Sequence, residues 1–264
     1  MAPRFCLDHL SLVDLDAEQL IAIAADAGFA AVSLFVTPIP ISAAADLVAD
    51  ATRRKAVTRS LAATGLGVGI VEPFMLDAAP DWACLQRSAA LAAALGGTVN
   101  ILGMDDEAAR LQDGMARMVG IARSEGAPVT IEAYPASTVR TQAQALQLAE
   151  ALGPDVGLCI DSLHVIRSGG TWADVAALPP ERIRHVQLND GPLEAPADRT
   201  DEAVFGRAPP GEGAFDLPAL LPLLPAHATI AVEAPSRALA ELPARARAAR
   251  LMAVMRLLFD RIPA

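Results

Sequence analysis

Four polar residues in the second half of the chain come at or near the ends of short apolar runs. These are Glu132 in VTIE, Asp161 in GLCID, Gln187 in RHVQL and Glu233 in IAVE. Three carboxylates brought together in a buried place would repel one another and lose hydration unless a cation neutralised them. Oxygen ligands favour a hard divalent ion, so we predict one Mn²⁺, Mg²⁺ or Co²⁺ ion, with Zn²⁺ as the alternative. The competing interpretation is that each acid is separately salt-bridged or caps a helix.

The alternation of side chains along a strand indicates that these residues share one face. Residues two apart point the same way, so Thr130 lies on the face of Glu132, while Val129 and Ile131 lie on the other. The same holds for the other three runs, where the opposite face carries the large aliphatic residues. We therefore expect the aliphatic faces to pack against outer helices and the polar residues to converge inside.

Eight short β-branched runs alternate along the chain with Ala- and Leu-rich segments of helical spacing. The predicted strands lie near Phe5–His9, Ala31–Val36, Gly67–Glu72, Thr98–Leu102, Val129–Ala133, Val156–Asp161, Ile183–Leu188 and Thr229–Glu233. The predicted helices lie near Ala17–Ala27, Ala43–Thr64, Trp82–Leu95, Asp106–Glu125, Thr138–Leu152, Trp172–Ala176, Leu217–Leu223 and Ser236–Leu258. Eight strand–helix units predict a single (β/α)8 TIM-barrel domain over residues 1–264. An open doubly wound sheet is the alternative, but no GxGxxG motif follows the first strand.

A long irregular segment, residues 189–216, lies between the seventh predicted strand and its helix. Because active sites of barrel enzymes lie at this end of the strands, we interpret it as a lid or binding loop, the alternative being a disordered excursion. Arg207 within it could hold a substrate carboxylate, phosphate or hydroxyl, or could simply be solvated. His9 and Glu72, at the ends of the first and third predicted strands, are further candidates for substrate binding.

The composition restricts the class of partner. The chain of 264 residues is 53% apolar and carries a net charge of −10, which disfavours binding to nucleic acid. The apolar run near Leu20–Ala25 is interrupted by Gln19 and Asp26, so no membrane span is expected. Without a signal-like start or a disulfide pattern, we expect a cytoplasmic protein acting on a small molecule. The three cysteines are widely spaced, at Cys6, Cys84 and Cys159.

With these residues in view, the chain resembles the sugar phosphate isomerase/epimerase superfamily, also called xylose-isomerase-like TIM barrels. The similarity covers essentially the whole chain and is carried by LDHLSLVDLDAEQLIAIAADAGFAAVSL, IEAYP, CIDSLHVIRSGG, IRHVQLNDGP and IAVEAPS. The resemblance implies a substrate contact at His164 and metal ligands at Glu132, Asp161, Gln187 and Glu233. Many epimerases of this superfamily have His where this chain has Gln187, whereas Gln resembles the 3-dehydroshikimate dehydratase branch.

The implied activity is isomerisation or epimerisation of a small hydroxy-carbonyl, sugar-like substrate through a metal-stabilised enediolate. Glu132 and Glu233 would be the acid/base pair, and His164 would polarise an oxygen or shuttle a proton. The alternatives are a metal-dependent dehydratase and a barrel that binds a small ligand without turnover. The multi-zinc endonuclease branch is excluded because the chain has only four His. Related barrels often pair, so a homo-oligomer is allowed. Candidate pocket walls are Phe35, Phe74, Tyr134 and Phe205.

Overall fold

Eight parallel strands close into a barrel in this computed structural model, which describes residues 4–42 and 45–261. Each strand pairs with the next in sequence, and the last pairs with the first. The strands are β1 (Phe5–Leu7), β2 (Ala31–Phe35), β3 (Gly67–Leu76), β4 (Thr98–Gly103), β5 (Val129–Glu132), β6 (Val156–Asp161), β7 (Ile183–Leu188) and β8 (Thr229–Val232). The predicted (β/α)8 fold is confirmed.

The helices lie in the connections between the strands. In the described residues they are α1 (Ala17–Ala27), α2 (Ala51–Thr64), α3 (Trp82–Leu95), α4 (Ala108–Glu125), α5 (Gln142–Leu152), α6 (Ser162–Arg167), α7 (Trp172–Ala176), α8 (Arg199–Phe205), α9 (Leu217–Leu220), α10 (Arg237–Ala240) and α11 (Ala244–Phe259). Short 3₁₀ turns cover His9–Leu12, Pro180–Arg182 and Leu221–Leu223. None of the described helices combines the length and apolarity that crossing a membrane requires.

Helix boundaries follow the capping chemistry of the sequence. The Asp16 side chain accepts a hydrogen bond from the backbone nitrogen of Gln19, and the Gln19 side chain accepts one from the backbone nitrogen of Asp16. This reciprocal box starts α1 and satisfies two amide groups that have no partner within the helix. The helix ends at Gly28, whose φ of 86° is a left-handed conformation that glycine adopts without steric cost.

Several predicted boundaries were wrong for local reasons. The second helix begins at Ala51, because Asp50 accepts hydrogen bonds from the two amides that follow Ala51; the predicted start at Ala43 lies outside the described residues. The last predicted helix is divided into α10 and α11 just before Pro243, since proline lacks the amide hydrogen that a helix interior needs.

The carboxyl-terminal ends of the first and third strands also differ from the prediction. β1 stops at Leu7, and His9 opens a 3₁₀ turn instead of closing the strand. β3 continues past Glu72 to Leu76, with an irregular register against β4 between Val71 and Phe74.

The two faces of the barrel strands separate as the alternation predicts. Val129 and Ile131 of β5 belong to the apolar core between strands and helices. Thr130, on the opposite face, donates a hydrogen bond to Asn100 of β4 inside the barrel. The barrel interior is therefore polar near its carboxyl end, and the side chains that follow β5–β8 enter a region already lined with hydrogen-bonding groups.

Candidate active site

Three of the predicted metal ligands converge at the carboxyl end of the barrel. Glu132, Asp161 and Glu233 are each at most 4% exposed. His164 joins them, with its Nε2 3.3 Å from Oε1 of Glu132 and 3.8 Å from Oδ2 of Asp161. The sequence spacing explains this: Asp161 ends β6 and caps α6 by accepting the backbone amide of His164 at 3.2 Å. The His164 ring is thereby held above the carboxylate that caps its own helix.

Arg207 joins two of these carboxylates. Its Nη1 donates to Oδ2 of Asp161 and to Oε2 of Glu233, both at 2.7 Å. Its Nε donates to the carbonyl of Ala203 at 2.7 Å, and the whole residue is buried. A buried guanidinium between two buried carboxylates offsets the repulsion that would otherwise push them apart.

The segment 189–216 carries Arg207 to this place in an ordered conformation. It contains α8 and is fastened by an antiparallel bridge between Asp190 and Ala208. The Asp190 carboxylate accepts the backbone amides of Gly191, Gly211 and Phe215, which folds the segment back on itself. We conclude that the segment lies over the charged side of the barrel mouth.

Burial and charge act in opposite directions on these acids. Burial disfavours ionisation of Asp161, but Arg207, His164 and the hydrogen bond from Asn189 act together against it and hold the pKa of Asp161 well below its ordinary value. Burial dominates at Glu233, whose pKa is raised well above its ordinary value despite Arg207. The two carboxylates on one guanidinium therefore have different affinities for a proton.

A second carboxylate pair lies on the opposite side of Glu132. Asn100 Nδ2 donates to Oε2 of Glu132 at 2.5 Å and to Oε1 of Glu72 at 3.1 Å. The amide is fixed in this orientation because its Oδ1 accepts the hydroxyl of Thr130 at 2.9 Å. Burial, together with the charges of Glu132 and Asp8, raises the pKa of Glu72 well above its ordinary value.

Gln187 is buried just below the mouth and connects Glu233 with the barrel interior. Its Nε2 donates to Oδ2 of Asp8 and to Oε1 of Glu233, both at 3.0 Å, and its Oε1 accepts the thiol of Cys159 at 3.2 Å. The amide nitrogen therefore faces Glu233, and ligation by the oxygen requires the amide to turn over. The metal-ligand role of Gln187 stays a prediction.

The donor set suits a divalent ion. One oxygen each of Glu132 and Asp161 and one ring nitrogen of His164 all lie within 4.8 Å of one another. Carboxylate oxygens with one imidazole nitrogen are ligands for Mn²⁺, Co²⁺ or Zn²⁺. Glu233 is not part of this group, since its Oε2 is bonded to Arg207, and its ligand role stays a prediction. Glu132 and Asp161 therefore fit the divalent ion that the sequence predicts, and the His164 ring is a further candidate ligand.

The predicted substrate-binding residues differ in their placement. Glu72 and Arg207 line a cavity of about 150 Å³ that opens above the charges, together with Glu132, His164 and Glu233. His9 does not line this cavity: its Nε2 contacts the carbonyl of Leu15 at 3.0 Å, and its Nδ1 accepts the amide of Phe35 at 3.2 Å. Both ring nitrogens of His9 are thus held by backbone.

Two of the four candidate pocket walls contact the site. Phe35 and Tyr134 line the cavity, and the Tyr134 ring lies 4.8 Å from the His164 ring. Phe74 is buried in the core away from the cavity, since the irregular register of β3 intervenes after Val71. Phe205 packs instead beneath the guanidinium of Arg237, at 5.1 Å.

Sequence reasoning missed three polar residues that organise the site. Asp8 follows the apolar run of β1 as the other acids follow theirs, so the same signal identifies it. Asn100 lies between two buried apolar residues in β4, and a polar residue in such a strand is a detectable signal. Asn189 follows β7 and donates to Oδ1 of Asp161 at 3.1 Å.

Comparison with known proteins identifies the family. The model of the family described as xylose isomerase-like TIM barrel matches residues 21–258. The chain belongs to this family. Solved structures similar to this chain include L-ribulose 3-epimerase (19% identity, TM-score 0.71, 98% of this chain and 95% of the other) and the protein IolI with a bound zinc atom (16% identity, TM-score 0.73, 96% and 98%). At these identities the likeness shows the shared fold.

A curated relative is more similar in sequence over a shorter stretch. The 3-dehydroshikimate dehydratase of Pseudomonas aeruginosa is 34% identical over 117 residues, which make up 44% of this chain and 18% of that protein. The chain therefore spans only a small part of the length of this xylose isomerase-like relative. The family and its neighbours place the chain among enzymes.

Proposed function

We propose that the protein is a divalent-metal-dependent isomerase or epimerase of a small hydroxy-carbonyl compound. The observation that carries this proposal is the grouping of Glu132, Asp161 and His164 within reach of one ion, beside a cavity that Glu132, His164 and Glu233 line. A bound divalent ion would supply Lewis-acid polarisation of the substrate carbonyl and neutralise developing negative charge. Sugar epimerases share the fold, which agrees with the proposal.

The protein's own residues would move the proton. Glu132 lies at the end of β5 and Glu233 directly after β8, so their carboxylates approach the cavity from different sides. One would take the proton from the carbon next to the carbonyl, and the other would return a proton to the opposite face. His164, 3.3 Å from Glu132, would exchange a proton with a substrate hydroxyl when its ring nitrogen does not bind the metal.

The first experiment measures bound metal and carbon-proton exchange together. We expect about one equivalent of metal in the purified protein and exchange of the α-carbon proton of hydroxy-carbonyl compounds in D₂O. Glu132→Gln and Glu233→Gln should each lose this exchange, whereas Glu194→Gln, an exposed residue of the same long segment as Arg207, serves as the control. Unchanged exchange in either active-site variant refutes the acid/base assignment. Absence of metal after dialysis against each ion refutes the metal dependence and favours a barrel that only binds ligand.

The second candidate is a metal-dependent dehydratase, which the local similarity to 3-dehydroshikimate dehydratase favours. Both reactions begin by removing the same α-proton, and they diverge in the next step. In a dehydratase a β-hydroxyl leaves, with His164 as the candidate acid, instead of a proton returning to carbon. Product mass distinguishes the two, since dehydration removes one water molecule and isomerisation leaves the mass unchanged.

A further inference from the structure

The cavity above the charged cluster has one side that the proposed proton transfer does not use. This side, the apolar collar, consists of Leu10, Phe35, Ile39, Ile41, Met75 and Leu102. It is built from the first half of the barrel, whereas Glu132, His164, Arg207 and Glu233 come from the second half. A ligand whose reactive end meets the carboxylates therefore has its other end against hydrocarbon.

Met75 gives a second sign that the collar meets a ligand. Its side chain is 49% exposed, which makes it one of four exposed large apolar residues among those described. It is the member of that group that lines the cavity, while Leu193 is 65% exposed and lies elsewhere. A flexible thioether at the rim of a cavity adapts to varied apolar groups and buries its own surface on contact.

None of the described residues that line the cavity is a cation free to hold a phosphate. Among the described lining residues Arg207 is the sole cation, and its charge is matched by Asp161 and Glu233. Arg167, in the adjoining recess, is matched in the same way by Glu202 at 2.6 Å. Arg199 also lines that recess, but it is exposed to solvent and does not line the cavity. A phosphate dianion entering here would lose its hydration beside buried carboxylates without a compensating partner.

We infer that the substrate is an unphosphorylated α-hydroxy carbonyl compound whose far end is an apolar carbon skeleton. The inference rests on the proposed function for the reactive end and on the collar for the far end. Moving one methylene from water to an apolar surface is worth about a fourfold gain in affinity. Since the cavity is partly open, we expect a four-carbon tail to give about a tenfold gain over a hydroxymethyl group.

The test uses the metal-loaded protein and three ketones that share the head CO–CH₂OH. The tails are butyl (1-hydroxy-2-hexanone), hydroxymethyl (dihydroxyacetone) and phosphorylated hydroxymethyl (dihydroxyacetone phosphate). Exchange of the α-proton in D₂O gives kcat/KM, and calorimetric titration gives Kd independently of turnover. We expect the butyl ketone to have a kcat/KM about tenfold higher, and a Kd about tenfold lower, than dihydroxyacetone. Dihydroxyacetone phosphate should have the lowest kcat/KM and the highest Kd of the three. A preference for the phosphate, or binding of none of the three, overturns the inference.

Measuring proton exchange and binding separately distinguishes a failure of this inference from a failure of the proposed function. Absence of exchange with all three ketones, together with tighter binding of the butyl ketone, would refute the proposed chemistry and support the collar. Met75→Lys places a cation in the collar and should reduce the preference for butyl over phosphate about tenfold. Leu193→Lys, at an exposed apolar residue outside the cavity, should leave this preference unchanged. An unchanged preference in Met75→Lys contradicts the inference.

Discussion

Replacing Arg207 by Met tests whether this residue holds the site together when no metal is bound. The substitution keeps the length of the side chain and removes the guanidinium that joins Asp161 and Glu233 at 2.7 Å each. Removing one partner of a buried ion pair leaves an uncompensated buried charge, at a cost of about 3–5 kcal/mol. With about 2–4 °C per kcal/mol for a domain of nearly this size, Tm should fall by about 6–20 °C.

The assay is thermal unfolding in EDTA and in the presence of Mn²⁺. In EDTA the loss should be larger at pH 8 than at pH 5, because Asp161 without Arg207 has a raised pKa and protonation at low pH relieves the buried charge. A divalent ion neutralises the same carboxylates, and at 100 times its Kd it stabilises the folded state by about 2.7 kcal/mol. Without Arg207 the carboxylates are not neutralised, so the variant should bind Mn²⁺ with a lower Kd than the native protein. At one Mn²⁺ concentration, Tm should therefore rise more in the variant.

Arg199→Met is the matched control, since Arg199 is an exposed arginine of the same segment. It should unfold within about 2 °C of the native protein, the behaviour expected of an exposed site. If Arg207→Met does the same in EDTA at pH 8, Arg207 does not neutralise the cluster, and the electrostatic account of the site is wrong.

Three other changes have expected outcomes. In metal-stripped protein Glu72→Gln should raise the free energy of unfolding at pH 8 by about 1 kcal/mol. The pKa of Glu72 is raised in the folded protein, so the native carboxyl group destabilises the fold as pH rises, whereas the neutral amide does not. Denaturant unfolding at pH 5 and pH 8 checks that the gain disappears in acid. Asp14→Asn removes a partly exposed pair with Arg247 and should cost about 1 kcal/mol or less. The hydrogen bond from Arg247 holds the pKa of Asp14 low, so this difference should close as pH falls and persist at neutral pH in urea titrations. Thr141→Ala, but not Thr141→Ser, should cost about 1 kcal/mol in the same titrations by opening the capping box with Gln144.

The sequence alone predicted the barrel because every level of the pattern agreed. The strand runs recur eight times, and caps such as Asp16 and Gly28 lie where the helical spacing stops. The same alternation predicted that Glu132, Asp161 and Glu233 would meet. Position along a parallel strand fixes which end of the barrel a residue occupies, so convergence follows from topology.

Other features of the site could not be obtained in this way because they depend on side-chain direction outside regular elements. Arg207 reaches the carboxylates only through the turns that Asp190 organises in the long segment, and no periodicity encodes such turns. The bonds of His9 to Leu15 and Phe35 depend on the strand ending two residues early. Local backbone geometry determines the contacts of Arg207 and His9, and the pattern of apolar residues carries no information about it.

The division of the cavity between the two halves of the chain has an evolutionary consequence. The collar residues lie between positions 10 and 102, whereas Glu132, His164, Arg207 and Glu233 lie beyond them. None of the six collar residues is charged, so substitutions among them leave the charged groups of the site in place. Drift at these six positions can thus change which compounds are accepted, while the reaction depends on the second-half residues together with Asp8, Glu72 and Asn100.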